Sequence, residues 1–191
     1  MRPYLILQER INNLVKKLVQ DFAKVKANSI NDDFLQSEQY SDVVTHIFNK
    51  AKENKYVEKI ELFTSILIAS SQQEEILNDE FIHNYVEIIS ALNKYEMQVL
   101  HHLYNYHKGL EKKIAKEGPD ARIDFKLDYS DNIILDVPKK YFAATFDSLI
   151  AKGLAYDDGV GRFGGTAPKQ YILPTELCNS LMRFVEKTKL K

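Results

Sequence analysis

The sequence predicts a mostly α-helical chain: a helical bundle over residues 1–92, followed by a C-terminal region over 93–191 that carries a small β-hairpin. Three observations predict it. Apolar side chains recur at steps of three and four along most of the chain, the spacing that places them on one face of a helix. No glycine precedes Gly109, and no proline lies between Tyr4 and Lys108, as in a bundle with few tight turns. Four of the seven glycines then crowd into residues 158–168, where a hairpin tip would use them.

With 45% hydrophobic residues in 191, the chain can bury a core as one domain or two small ones. The longest apolar run, Phe63 to Ala69, is interrupted by Thr64 and Ser65 and falls far short of a membrane span. Met1-Arg2-Pro3-Tyr4-Leu5 lacks the apolar stretch and small-residue cleavage site of a secretory leader, so a cytoplasmic protein without a membrane partner is expected. The single cysteine, Cys178, has Leu177, Leu181 and Met182 around it. It reads as a small core residue, and one cysteine excludes an internal disulfide and a thiol-rich metal site.

The elements follow in order. Tyr4, Leu7, Ile11, Leu14, Val15, Leu18, Phe22 and Val25 form one face of a helix reaching about Lys26, with Glu9, Lys16, Lys17, Gln20 and Lys24 opposite. The face serves docking on the protein's own core or a coiled-coil seam, although Asp21 interrupts the second seam position. Residues 28–33 are rich in side chains that compete for backbone hydrogen bonds and read as a loop. Ser41 is expected to cap a helix carrying Val43, Val44, Ile47, Phe48 and Ala51. Tyr56 to Ser70 continue the period, as the same bent helix or a second one. The chain turns near Asn78-Asp79, and Phe81 to Ile89 mark a further short helix.

Asn93 and Glu96 stand at the spacing of a capping box, opening a helix from Lys94 to about His107. A short helix over Leu110–Lys116 and a turn at Gly118-Pro119-Asp120 come next. Arg122 to Leu127 alternate charged and apolar side chains, the period of a half-buried strand. Asp136-Val137-Pro138 reads as a helix entry. That helix runs to about Lys152 on a stripe of Phe142, Phe146, Leu149 and Ile150, and Gly153 stops it. Leu154–Asp157 and Lys169–Leu173 then form the hairpin, and Thr175 caps a last helix that turns Leu177, Leu181, Phe184 and Val185 inward.

The order of these parts, with Leu149-Ile150-Ala151-Lys152-Gly153-Leu154 before the hairpin and Tyr171-Ile172-Leu173-Pro174-Thr175 after it, resembles the bacterial winged-helix superfamily over about half the chain. Residues 56–107, with Ile60-Glu61-Leu62-Phe63 and Ile88-Ile89-Ser90-Ala91-Leu92-Asn93 ahead of Glu96-Met97-Gln98-Val99-Leu100, resemble the helical segment of uncharacterised Abi-alpha-type proteins. The first resemblance implies a winged-helix-like domain over 93–191; the second implies a phage-defence or prophage setting and supplies no catalytic residues.

In winged-helix DNA binders the second helix of the motif enters the major groove and the wing meets the backbone. The corresponding positions, expected to be exposed, are Lys139, Lys140, Thr145, Ser148 and Lys152, with Arg162 and Lys169 in the wing. They form a thin set. Residues 1–92 carry 10 basic and 14 acidic side chains, residues 93–191 carry 16 and 13, and the whole chain has a net charge of −1. Phosphate contacts dominate affinity for duplexes, so this balance permits double-stranded DNA without arguing for it. A solvated face, DNA contact and protein docking all stay open for this surface.

Nothing in the sequence assigns chemistry. His102 and His107 are five residues apart, on different helix faces, and no H-E-x-x-H pattern occurs. Gly161-Arg162-Phe163-Gly164-Gly165 lacks the G-K-[ST] ending of a phosphate loop, and Ser70-Ser71 has no base beside it. The expectation is a non-enzymatic protein without cofactor or metal. Its N-terminal helices would mediate homodimerisation or bind another protein. Its C-terminal domain would bind DNA as a regulator or, alternatively, act as a protein-interaction module.

Overall fold

A computed structural model describes residues 3–25, 30–54, 56–72, 79–118, 137–158 and 172–186. The described residues form eight helices and two strands: α1 Pro3–Phe22, α2 Asp32–Leu35, α3 Glu38–Glu53, α4 Val57–Ser71, α5 Asp79–Ala91, α6 Lys94–Glu117, α7 Lys139–Ala151, β1 Ala155–Asp157, β2 Ile172–Pro174 and α8 Glu176–Glu186. None of these helices is long and apolar enough to cross a membrane. The chain divides into two compact units, Met1–Leu92 with Arg183–Lys191, and Asn93–Met182.

In the first unit α4 is central, touching α1, α2, α3 and α5. It holds the longest apolar run, and Phe63, Ile66, Leu67, Ile68 and Ala69 are all buried. A helix covered on every side needs homes for its polar groups. Thr64 Oγ1 donates to the Ile60 carbonyl at 2.9 Å, Ser70 Oγ to Ile66 at 2.7 Å and Ser71 Oγ to Ile68 at 2.7 Å. Ser70-Ser71 is thus occupied by its own backbone.

Chain breaks around this core come from specific caps. Ser37, one turn before the expected Ser41, caps α3 by accepting from the Tyr40 amide at 3.1 Å. Glu38 and Tyr40 extend that helix beyond its apolar pattern, which is why the pattern alone misplaced its start. Asp32 and Asp33 are not loop: Asn31 accepts from the Phe34 amide at 3.0 Å and caps the single turn of α2. The side chain that competes with the backbone here begins a helix. The stretch after α3 resolves into two helices, because Asn54 turns extended and its Nδ2 donates back to the Lys50 carbonyl at 2.8 Å.

Lys59, only 3% exposed, donates to Asn54 Oδ1 at 2.8 Å and to the Ser90 carbonyl at 2.6 Å. Ser90 lies in the last turn of α5, where carbonyls lack helical partners and attract cations. A charge poorly placed in the first turn of its own helix therefore closes the end of another.

In the second unit α6 packs on α7 and β2, and α7 on β1. The Asn93–Glu96 capping box is present. However, α6 does not end near His107: it continues through Gly109 to Glu117, so the expected separate helix at Leu110–Lys116 is its last turns. Burial of Leu110 continues the apolar face, and Gly118, at φ +90, ends it. The expected strand at Arg122–Leu127 lies outside the described residues.

Helix α7 closes as a Schellman motif. The Gly153 amide donates to Ile150 and the Leu154 amide to Leu149, both at 2.9 Å; Gly153 takes φ +69, and Leu149 and Leu154 are fully buried. β1 and β2 pair antiparallel, Ala155 with Pro174, Tyr156 with Leu173 and Asp157 with Ile172. Thr175 fixes the far end. Its hydroxyl accepts from the Cys178 amide at 3.2 Å, donates to the Gly153 carbonyl at 2.7 Å, and so joins the cap of α8 to the stop of α7. Cys178 is fully buried, and burial pushes its thiol up to about 12. Leu177, expected inside, is exposed; Cys178, Leu181, Met182 and Val185 carry the buried face of α8.

Two glycine substitutions separate these roles. Gly109 is helical with open space where a Cβ would sit, so Gly109→Ala should stabilise by about 0.5–1 kcal/mol. Gly153 has equally open space but a left-handed backbone, so Gly153→Ala should cost about 1 kcal/mol. Urea unfolding measures both: a loss of stability in Gly109→Ala would contradict the first assignment, and a gain in Gly153→Ala the second.

Candidate functional site

The face proposed by sequence for α7 turns on Glu96. The carboxylate is 2% exposed and both oxygens are used. Oε2 accepts from the Asn93 amide at 2.7 Å, closing the capping box, while Oε1 accepts from Lys152 Nζ at 2.8 Å. Lys152 also donates to Ser148 Oγ at 2.6 Å. Burial acts most strongly on the Glu96 carboxyl and raises it, but hydrogen bonds from Lys152, Ser148 and the Asn93 backbone, with the nearby ammonium charge, outweigh burial and hold it below its ordinary range. A depressed folded value contributes stability above the unfolded pKa, which is lost as pH falls through the folded one.

Three of the seven predicted positions are thereby relocated. Lys152 and Ser148 belong to this network. Thr145, expected at the surface, is 5% exposed and donates to the Tyr141 carbonyl at 2.8 Å. Its position explains this. Thr145 stands one turn from Phe142 and Leu149 and beside Phe146, within the buried stripe itself. Lys140 is exposed, with its ammonium 4.9 Å from the centre of the Tyr141 ring. Lys139 begins α7, but its side chain lies outside the described residues, as do Arg162 and Lys169.

The described outer face of α7 is consequently Lys140, Tyr141, Ala143, Ala144, Asp147 and Ala151. One lysine and one aspartate offset each other, and the alanines offer neither charge nor hydrogen bonds. Near its start, Tyr141 stacks on Tyr95 of α6, with rings 5.7 Å apart and 20° from parallel. Sequence reading does not join these two rings, which stand on separate helices.

Two features of the first unit also escaped it. His46 and His83 bring their rings within 4.6 Å. Glu87 Oε1 lies 3.1 Å from His46 Nε2, outside hydrogen-bond alignment, and accepts from Lys50 at 2.8 Å. Burial, then His83, lowers the His46 pKa, with Glu87 opposing and Lys50 adding to the fall. Among the described residues no group of three or more candidate ligands could hold a metal ion.

The second feature is the outer side of α1. Leu14 faces inward and is fully buried, whereas Leu5 and Val19 are 58% and 64% exposed. With Val15, also exposed, they follow steps that keep them on one side of the helix. Gln8 and Asn12 lie between them, joined by a 3.1 Å hydrogen bond. The predicted docking of α1 on the protein's own core is present through α3 and α4, and a second apolar stripe remains outside it.

Comparison with protein-family models, with curated proteins and with solved structures finds no match for this chain.

The lysines of α7 should separate by role. Lys152→Met leaves a buried carboxylate without its cation, which costs about 2 kcal/mol, below the usual 3–5 for a fully buried pair, because the lysine side chain keeps 28% exposure. Lys140→Met should change urea stability by less than about 0.5 kcal/mol. Similar losses in both variants would contradict the division.

Proposed function

We propose that the chain is a non-enzymatic interaction protein that pairs with a second copy of itself through the outer side of α1, and that α7 does not serve as a duplex-reading helix. The observation that carries this reading is the exposed stripe of Leu5, Val15 and Val19, set beside an α7 whose described outer face has one lysine among three alanines where a phosphate contact needs cations. From Leu5 to Val19 the stripe runs about 20 Å along the helix.

A two-fold antiparallel pairing centred on Asn12 sets Leu5 opposite Val19 of the second copy and brings Glu9 beside its Lys16. Apolar contacts then occupy the seam and opposite charges flank it, the self-complementarity a symmetric contact requires. In the second unit, the order α6, α7, hairpin, α8 supports a winged-helix-like reading, here used for protein contact or as a scaffold.

Sedimentation of the intact chain tests the proposal. A dimer is expected in the native protein, and Val15→Glu/Val19→Glu should give a monomer with unchanged helical circular dichroism. A native monomer at about 100 μM, where even weak pairing registers, would overturn the pairing. Random duplex DNA at low salt should show no binding. Binding that falls steeply with salt and is abolished by Lys140→Glu would restore the DNA reading.

A further inference from the structure

Between the polar flank of α1 and the start of α4 lies an open cleft of about 310 Å³, at the lower end of the volumes that hold small molecules. Its charge runs against its surroundings. Residues 1–92 carry four more acidic than basic side chains, yet Arg10, Lys16 and Lys17 line the cleft with Glu61 as its one carboxylate. The α4 side supplies Tyr56, Val57 and Ile60, an aromatic ring and two branched aliphatics.

The cations differ in how they are held. Arg10 Nη1 donates to the Lys52 carbonyl at 2.7 Å, in the last turn of α3, where carbonyls lack helical partners. That bond positions the guanidinium and leaves other donors of its fork for a ligand. Lys17 lies 3.3 Å from Asp21, which also accepts from Lys24 at 2.6 Å, so its charge is largely answered. Lys16 is exposed and forms no ion pair among the described residues. Asn54 adds an amide at the α4 side.

We propose that this cleft binds a small organic anion: a single carboxylate or phosphate, placed between Arg10 and Lys16, joined to a flat apolar body that lies against Tyr56, Val57 and Ile60. An inorganic anion would gain only the cations, and an uncharged ring only the apolar wall. In the proposed pair Glu9 of the second copy competes with the anion for Lys16, so binding is measured in Val15→Glu/Val19→Glu as well, where a monomer should bind at least as tightly as the native chain.

Isothermal titration calorimetry of the intact chain tests it with four probes: salicylate, adenosine monophosphate, adenosine and inorganic phosphate. Saturable binding of one molecule per chain is expected for salicylate or the nucleotide, and which of the two binds distinguishes a carboxylate from a phosphate ligand. Adenosine and inorganic phosphate should bind at least ~tenfold more weakly, about 1.4 kcal/mol. Lys16→Glu, at an exposed position that cannot unfold the bundle, should abolish binding, and Arg10→Met should weaken it, while Lys140→Glu in the other unit leaves it unchanged. Absence of saturation by both anions at millimolar concentration overturns the proposal. So does inorganic phosphate binding as tightly as the nucleotide, or binding that survives Lys16→Glu.

Discussion

A buried carboxylate cannot stay charged without partners that replace water, and Glu96 meets this constraint with two elements at once. One oxygen closes the first turn of α6 and the other draws Lys152 from the end of α7. The start of one helix and the stop of the other are thereby fixed to a single group. The α7 end adds its own bonds beside that pair: Ser148 joins the same network, Gly153 takes its left-handed turn immediately after Lys152, and Thr175 donates to the Gly153 carbonyl where α8 starts. A residue that begins as a local cap signal becomes the point on which the second unit is registered.

The first unit applies the same physics at other helix ends. Lys59 answers the Ser90 carbonyl of α5, the Asn31 amide donates to the Ser71 carbonyl at the end of α4 at 2.8 Å, and Arg10 answers Lys52 at the end of α3. Each is a long-range use of a carbonyl that its own helix cannot satisfy. These bonds are worth about 1 kcal/mol net apiece. Their greater consequence is directional, since each sets where one helix ends against another. Lys59 is buried by such a bond and Lys152 is held by the Glu96 carboxylate, which is why a count of lysines overstates what either unit can offer to phosphate.

Periodicity made most helices legible: the stripes of α4, α6 and α7 and the Asn93–Glu96 box stand where their spacing puts them, whereas Leu7 and Val15, expected on the docking face of α1, and Phe81 of α5 are exposed. Cap chemistry was legible only where the candidate was unique. Ser37 and Ser41 are both plausible caps by type, and choosing between them requires knowing that Tyr40 belongs to the helix. The role of Lys152 was not legible, because its partner lies 56 residues away and its position before Gly153 matches an exposed helix end equally well. Thr145 was within reach: it sits inside the very spacing that marks Phe142, Phe146 and Leu149 as buried. The His46–His83 pair and the α1–α4 cleft join residues of separate helices, which no local pattern connects. Leu5 and Val19 were readable as apolar, but their exposure depends on which side of α1 the bundle takes.

The most direct measurement is the carboxyl titration of Glu96, followed by carbon-13 NMR in the native chain and in Lys152→Met. The predicted midpoint lies below the ordinary glutamate range in the native chain and moves upward in the variant, where burial acts with less opposition. A midpoint in the ordinary range that ignores the loss of Lys152 would contradict the pairing, and with it the removal of that lysine from the outer face of α7.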